Sequence, residues 1–257
     1  MTASRLSLPP PRSVSPAVEV AMSMTPEELD RALLGPEPLL SEEEATRLLY
    51  DWSYWARPEQ LPPAGDWRVF LILTGRAWGK TRAASEWVRQ RAYDGHGPIA
   101  LVGKTSADCR DVIVEGPAGI LKCCPPWFKP IYEPSKRRVS FPNGVTSTTY
   151  GGDEPDQLRG PQHATAICDE LCKWREAEAS YANLEMGMRI GSDPRTMITT
   201  TPRPMRLLKD LIRDPQVYVR RGRLYENAAN LPPEFIERMR ARYEGTRLGR
   251  QELAGEI

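Results

Sequence analysis

Histidine and paired cysteine are nearly missing from this 257-residue chain. The only histidines are His96 and His163, and no Cys-x-x-Cys occurs, so a Cys/His zinc site lacks the ligand spacing it needs. Five cysteines are an odd number and do not make a fully paired secreted framework. Cys123 and Cys124 are adjacent, and Cys168 and Cys172 are four apart. Reduced thiols, packed in a core or left free, are the expectation. Hydrophobic residues make up 40% of the chain, yet no apolar run reaches the length of a membrane span. The N-terminus lacks the basic and apolar regions of a signal peptide. The reading is a soluble intracellular protein with no membrane partner. An excess of one charge sign is missing too. A net charge of +1 excludes tight nucleic-acid binding through bulk charge alone. The tail still carries Arg220, Arg221, Arg223, Arg238, Arg240, Arg242, Arg247 and Arg250. Acidic residues interleave with them, which leaves a basic face and a solvated helix face both open.

What is present suits one large α/β domain, or one domain with a small appendage. Residues 1–23 are rich in Ser and Pro without an apolar period, and read as a disordered leader. Thr25, Pro26, Glu27 and Glu28 spell a helix start, and residues 41–44 repeat the capping-box pattern ahead of a Leu/Tyr/Trp-rich helix. Prolines between 58 and 63 end that helix. Residues 67–73, 99–102, 164–168 and 196–200 read as core strands, and residues 81–93 and 108–114 as helices. Asn143-Gly144 predicts a hairpin between 138–141 and 145–150. A last helix opens at Pro232-Pro233 and runs to about residue 243. Strands alternating with helices predict a mainly parallel sheet covered on both faces.

Two motifs carry chemistry. The stretch Val69-Phe-Leu-Ile-Leu-Thr-Gly-Arg-Ala-Trp-Gly-Lys-Thr81 is strand, loop, helix. A Gly-containing turn feeding a helix N-terminus supplies N–H donors and the positive end of the dipole to a phosphate. Lys80 would reach the β- and γ-phosphates and the Thr81 hydroxyl would ligate Mg²⁺. The consensus G-x-x-x-x-G-K-[ST] places its first glycine where Thr74 stands, and Gly75 comes one residue late. The second motif is the apolar strand that ends in Asp169-Glu170. The first acid of such a pair holds Mg²⁺ and the second polarises the attacking water. Two acids at a strand end are also an ordinary helix start, but together with the phosphate loop they point to an ATPase that uses ATP and Mg²⁺. Thr199, Thr200 and Thr201 end the next strand; phosphate sensing and plain β-propensity both fit them.

These strings, with Gln60-Leu-Pro-Pro-Ala-Gly-Asp-Trp67, Asp156-Gln-Leu-Arg-Gly-Pro161, Tyr225-Glu-Asn-Ala-Ala-Asn230 and Tyr243-Glu-Gly-Thr-Arg-Leu-Gly249, resemble the large terminase subunit of tailed bacteriophages over residues 40–257. The displaced first glycine is usual there. The resemblance implies a P-loop α/β fold of the additional-strand, catalytic-glutamate (ASCE) type with a small helical lid. It implies residues 24–57 as lid helices, 58–230 as ATPase core, and 231–257 as a lid helix and the start of a linker to an absent nuclease domain. Gln60 would read adenine. Gly75, Arg76, Ala77, Trp78, Gly79, Lys80, Thr81 and Arg82 would bind nucleotide, with Arg76 near the γ-phosphate. Arg159 would be an arginine finger, Glu170 the catalytic glutamate, Asp169 and Thr81 metal ligands, and Thr199 to Thr201 a coupling motif. The implied function is ATP-driven translocation of double-stranded viral DNA, without nuclease activity in this chain. Implied partners are that DNA, the portal protein of the procapsid, the small terminase subunit, and copies of the chain in a pentameric ring, the isolated domain being monomeric. The implied location is the host cytoplasm, transiently docked on the procapsid and not in the mature virion. A helicase-like ATPase and a nucleotide-binding scaffold without turnover are the rival readings. A helicase core needs a second domain of this kind, and a scaffold has no need of Glu170.

Overall fold

The computed structural model describes residues 23–34, 40–253 and 255. The chain divides into two compact units, Met1–Trp55 and Ala56–Ile257. Of the leader expected over residues 1–23, all but Ser23 lies outside the described residues.

In the first unit, helices α1 (Pro26–Leu34) and α2 (Glu42–Leu49) start as their sequences dictate. Thr25 Oγ1 accepts the Glu28 N–H at 3.3 Å while Glu28 Oε2 accepts the Thr25 N–H at 2.8 Å. Ser41 and Glu44 repeat this at 3.2 and 3.0 Å. Each reciprocal pair satisfies donors that a helix start leaves open. Helix α2 ends earlier than the prolines predict. Asp51 Oδ1 accepts the Ser53 N–H at 3.0 Å and the Ser53 hydroxyl at 2.6 Å, and a separate turn, Trp52–Trp55, begins there. A short acidic side chain that captures the backbone two residues on competes with helix continuation. Leu40 and Leu48 are buried, with Leu29, Ala45 and Tyr54 packed against them.

The second unit is built on eight strands: β1 (Val69–Thr74), β2 (Ile99–Gly103), β3 (Ile131–Glu133), β4 (Arg138–Ser140), β5 (Thr146–Gly151), β6 (Thr165–Asp169), β7 (Arg195–Thr200) and β8 (Val217–Gly222). Their order is β3-β4-β5-β2-β6-β7-β1-β8. Pairing is parallel from β5 to β8 and antiparallel through β3, β4 and β5. Every residue of β1 and β2 is buried, as unbroken apolar strands in a sheet covered on both faces must be. Helices α3 (Lys80–Tyr93), α4 (Ala177–Gly187), α5 (Arg206–Arg213), α6 (Pro233–Tyr243) and α7 (Arg247–Glu252) connect and flank the strands. The sequence reading above does not contain β3, β8, α4, α5 or α7. The helix expected at 108–114 is one α turn, Ser106–Asp108, that widens into a π-helix over Cys109–Val114. All five cysteines are buried and free, in line with the reduced thiols expected.

This order positions the site. From β1 the chain passes through α3 and reaches β2 beyond two intervening strands, β7 and β6. Such a reversal leaves a crevice at the carboxyl ends of the strands, where ligands bind in open α/β sheets. Register then sets the neighbours there. Asp169 stands beside Thr199, and Thr200 beside Leu73.

Candidate functional site

The loop 75–79 joins β1 to α3. Thr74, at the position of the first consensus glycine, is the last strand residue and fully buried, so the turn begins at Gly75 instead. Ala77 has φ 55° and Gly79 φ 97°, both left-handed. Alternation of hand in a short loop turns successive N–H groups to one concave side, where an anion fits. Gly79 also needs to lack a side chain, because a Cβ there would lie 2.7 Å from Gln60 Nε2. Gln60 is buried; its Oε1 accepts the Arg57 N–H at 3.1 Å and its Nε2 donates to Gly79 O at 3.4 Å.

Lys80, the first residue of α3, is buried and folded back onto the loop. Its ammonium donates to Thr74 O at 3.2 Å, Gly75 O at 3.1 Å and Thr201 Oγ1 at 3.1 Å. Glu170 Oε1 lies 3.6 Å from it. Burial lowers the Lys80 pKa, against the raising pull of Glu170 and Asp169. Glu170 itself takes a left-handed backbone, φ 50°, just past the end of β6. Its Oε2 accepts the Thr201 N–H at 3.3 Å and lies 3.5 Å from Lys173 Nζ.

The two acids titrate in opposite directions. Burial pushes the Asp169 carboxyl up to about 6, against the Thr199 hydroxyl that donates to it at 2.6 Å. Burial works to raise Glu170 as well, but Lys80, Lys173 and the Thr201 N–H outweigh it and leave the group below its ordinary value. Neighbouring carboxylates held apart in this way can take different roles. Each threonine at the end of β7 also has its own partner. Thr199 serves Asp169, Thr200 Oγ1 accepts the Cys172 N–H at 3.0 Å, and Thr201 serves Lys80 and Glu170.

Mg²⁺ binds through one or two protein oxygens together with phosphates and water, not in an all-protein cage. The donor set fits that habit. Asp169 offers a carboxylate whose buried charge a cation would offset, and Thr81 offers a hydroxyl in the first turn of α3. Among the described residues no cluster of three His, Cys, Asp or Glu side chains could hold a metal alone.

The remaining expected residues fall in three places. Arg76 and Ala77 are exposed in the loop, and Trp78 is fully buried. Arg82 pairs along its own helix with Glu86, at 2.6 Å. Arg159 is exposed after the turn Pro155–Leu158, and its side chain makes no hydrogen bond or ion pair with the Lys80–Glu170 group among the described residues. Three contacts escaped the sequence reading: Lys173 beside Glu170, and Arg57 and Asn227 on the loop carbonyls. Lys173 stands three residues after Glu170, a spacing that was available to find it.

One more element closes on the loop. The Leu224 N–H donates to Leu253 O at 2.8 Å. A Cβ on Gly255 would lie 2.8 Å from Gly222 O, 3.1 Å from Thr74 Cα and 3.2 Å from Gly75 N.

A phosphate loop at the end of β1, an acidic pair at the end of β6 and a strand, β7, inserted between them define a P-loop domain of the ASCE class. The profile of the family described as "Terminase large subunit, T4likevirus-type, N-terminal" matches residues 71–257, and the chain belongs to that family. No curated protein matches it. Among solved structures it is similar to the large terminase ATPase domain of Thermus phage P74-26, with a TM-score of 0.61 and 16% identity over 84% of this chain and 98% of that one. It is similar to the large terminase of a thermophilic bacteriophage in complex with ADP, with a TM-score of 0.61 and 18% identity over 82% of this chain and 52% of that one. The bacteriophage HK97 large terminase gives a TM-score of 0.55 and 15% identity over 86% and 51%. The chain thus spans nearly all of an isolated ATPase domain and about half of the longer terminases.

Proposed function

We propose that this chain is an ATP-hydrolysing motor domain that drives double-stranded viral DNA into a procapsid. The observation that carries the reading is the convergence at the strand ends: Lys80 3.6 Å from Glu170 and bonded to Thr201, whose N–H Glu170 accepts, with Asp169 beside them on Thr199. Lys80 exchanges its two loop carbonyls for phosphate oxygens when nucleotide enters. Glu170 orients a water and takes its proton as the oxygen attacks the γ-phosphorus and the bond to the leaving diphosphate breaks. Asp169 and Thr81 would hold Mg²⁺, which when bound would supply charge neutralisation on the phosphates. Thr199 and Thr201 touch Asp169, Lys80 and Glu170, which supports a role in passing hydrolysis on to β7. The adenine role of Gln60 belongs to the same proposal.

Lys80→Ala is expected to abolish phosphate release. Glu170→Gln should keep nucleotide affinity and lose about 10²–10⁴ in kcat. Tight binding with no release in the unaltered chain, even under conditions that allow assembly, would favour the scaffold reading.

Partners follow from the family: double-stranded DNA, the portal, the small terminase subunit and further copies in a ring. The host cytoplasm is the proposed location, and the isolated chain is proposed to be monomeric and without nuclease activity. Exposure of Arg159 in a Gly160-bounded turn supports its action on a neighbouring subunit's ATP. Lys80→Ala and Arg159→Ala proteins should each be nearly inactive, yet regain activity when co-assembled. Co-assembly without recovery would return Arg159 to a structural or same-subunit role.

A further inference from the structure

The segment 224–230 takes no part in the chemistry above, yet it grips the phosphate loop. Asn227 Nδ2 donates to Ala77 O at 2.6 Å. Arg57 Nη1 donates to Asn227 Oδ1 at 2.5 Å, and its Nη2 donates to Trp78 O at 2.6 Å. The same guanidinium lies 5.0 Å from the centre of the Trp78 ring. Glu226 Oε2 accepts the Trp78 Nε1–H at 2.8 Å. Two consecutive loop carbonyls and the loop's aromatic side chain are therefore held by residues far away in sequence.

The loop needs such holding. Ala77 is left-handed at φ 55°, a conformation that costs a residue with a Cβ roughly 1–2 kcal/mol. A methyl side chain has no polar group with which to fix that conformation locally. Yet the left-handed residues are what gather the loop N–H groups on one side. Binding is tighter when the ligand need not impose this shape itself.

We propose that Asn227, oriented by Arg57, is a positioning residue that keeps the phosphate loop in its anion-binding shape before nucleotide arrives; this rests on the nucleotide reading above. Only an amide suits position 227. It donates to Ala77 O and accepts from Arg57 in one side chain. An aspartate there is the same size and still accepts from Arg57, but it cannot donate to Ala77. Asn227→Asp therefore trades that bond for a carboxylate oxygen facing the Ala77 carbonyl and adds a negative charge. Asn227→Leu, of similar size and neutral, removes the bond without adding charge. Both leave Arg57 on Trp78 O.

The test is titration of the unaltered chain, Asn227→Asp and the neutral Asn227→Leu with Mg-ATP and Mg-ADP, well below each protein's unfolding midpoint, together with saturated turnover. A rise in Kd confined to Asn227→Asp would be a charge effect and would count against the inference. Kd for both nucleotides should rise about tenfold, with kcat changed by less than about twofold. Loss of folded protein would lower kcat and leave Kd alone, so the two effects separate. Hydrogen exchange at the 75–79 amides of the nucleotide-free variant should speed up, while exchange in β1 stays slow. Unchanged Kd and unchanged loop exchange would overturn the inference. An unaltered chain that binds neither nucleotide would overturn the nucleotide reading first, and this inference with it.

Discussion

At the scale of single residues, Glu170 depends on its two lysines more than on its position. Lys173 is partly exposed, and among the described residues its ammonium pairs with no other side chain of the site, so it can be removed without opening the loop. Lys173→Met should raise the Glu170 pKa, because one of the two cations that hold it down is gone. The proposed activation of water needs Glu170 ionised, so the acid limb of kcat against pH should move to higher pH. A profile that stays in place would show that Lys80 alone sets Glu170. Lys80, Asp169 and Glu170 were legible in the sequence because each sits at a fixed offset from a strand end. Arg57 and Asn227 were not, since their bond joins positions 170 residues apart and no local pattern announces it.

At the scale of elements, α3 is fastened at the end away from the phosphate loop. Arg91 donates through Nε to Thr165 Oγ1 at 3.0 Å and through Nη2 to Asp193 O at 2.6 Å, and it pairs with the Asp193 carboxylate at 2.7 Å. The helix that carries Lys80 is thereby tied to β6, the strand that carries Asp169. Arg91→Ala leaves the Thr165 hydroxyl and the Asp193 carbonyl short of a donor while Arg195 keeps the Asp193 carboxylate paired, and should cost about 1–3 kcal/mol in urea unfolding. Its effect on nucleotide affinity should follow only from the fraction unfolded. Strands β1 and β2 were legible as apolar runs. Strand β8 was not, because an edge strand faces solvent and Arg220 and Arg221 interrupt its pattern. Helix α4 hid for a different reason. Tyr181 and Leu184 are buried, but Ala179, Ala182 and Met186 are exposed on the other side, so the apolar contrast between its faces is weak.

At the scale of the whole molecule, strand order was beyond the sequence, since pairing of distant strands leaves no trace in any one of them. One buried group does reach global stability. His163 is 2% exposed, neither ring nitrogen has a partner among the described residues, and burial pushes its pKa from 6.5 to about 4. The unfolded chain therefore binds the proton first. Stability is fully present above pH 6.5 and is lost as pH falls to about 4. The loss attributable to this group approaches about 3 kcal/mol. Asp169, raised to about 6, acts in the opposite sense, so the readout is the difference from a His163→Phe protein. That variant should keep the ring contact with Tyr150, and its urea midpoint should rise relative to that of the unaltered chain as pH falls from 6.5 to about 4. Equal slopes would mean that His163 is solvated in solution.

The close approach of Gly255 to Thr74 and Gly75 has a mechanical side. Close-packed interiors pass displacement on and do not absorb it. With Gly255 on the strand end and Gly222 against Trp78, the phosphate loop has no slack behind it. Under the proposed motor function, a power stroke would then begin on the facing threonines of β7, with the loop as the fixed jaw of the vice.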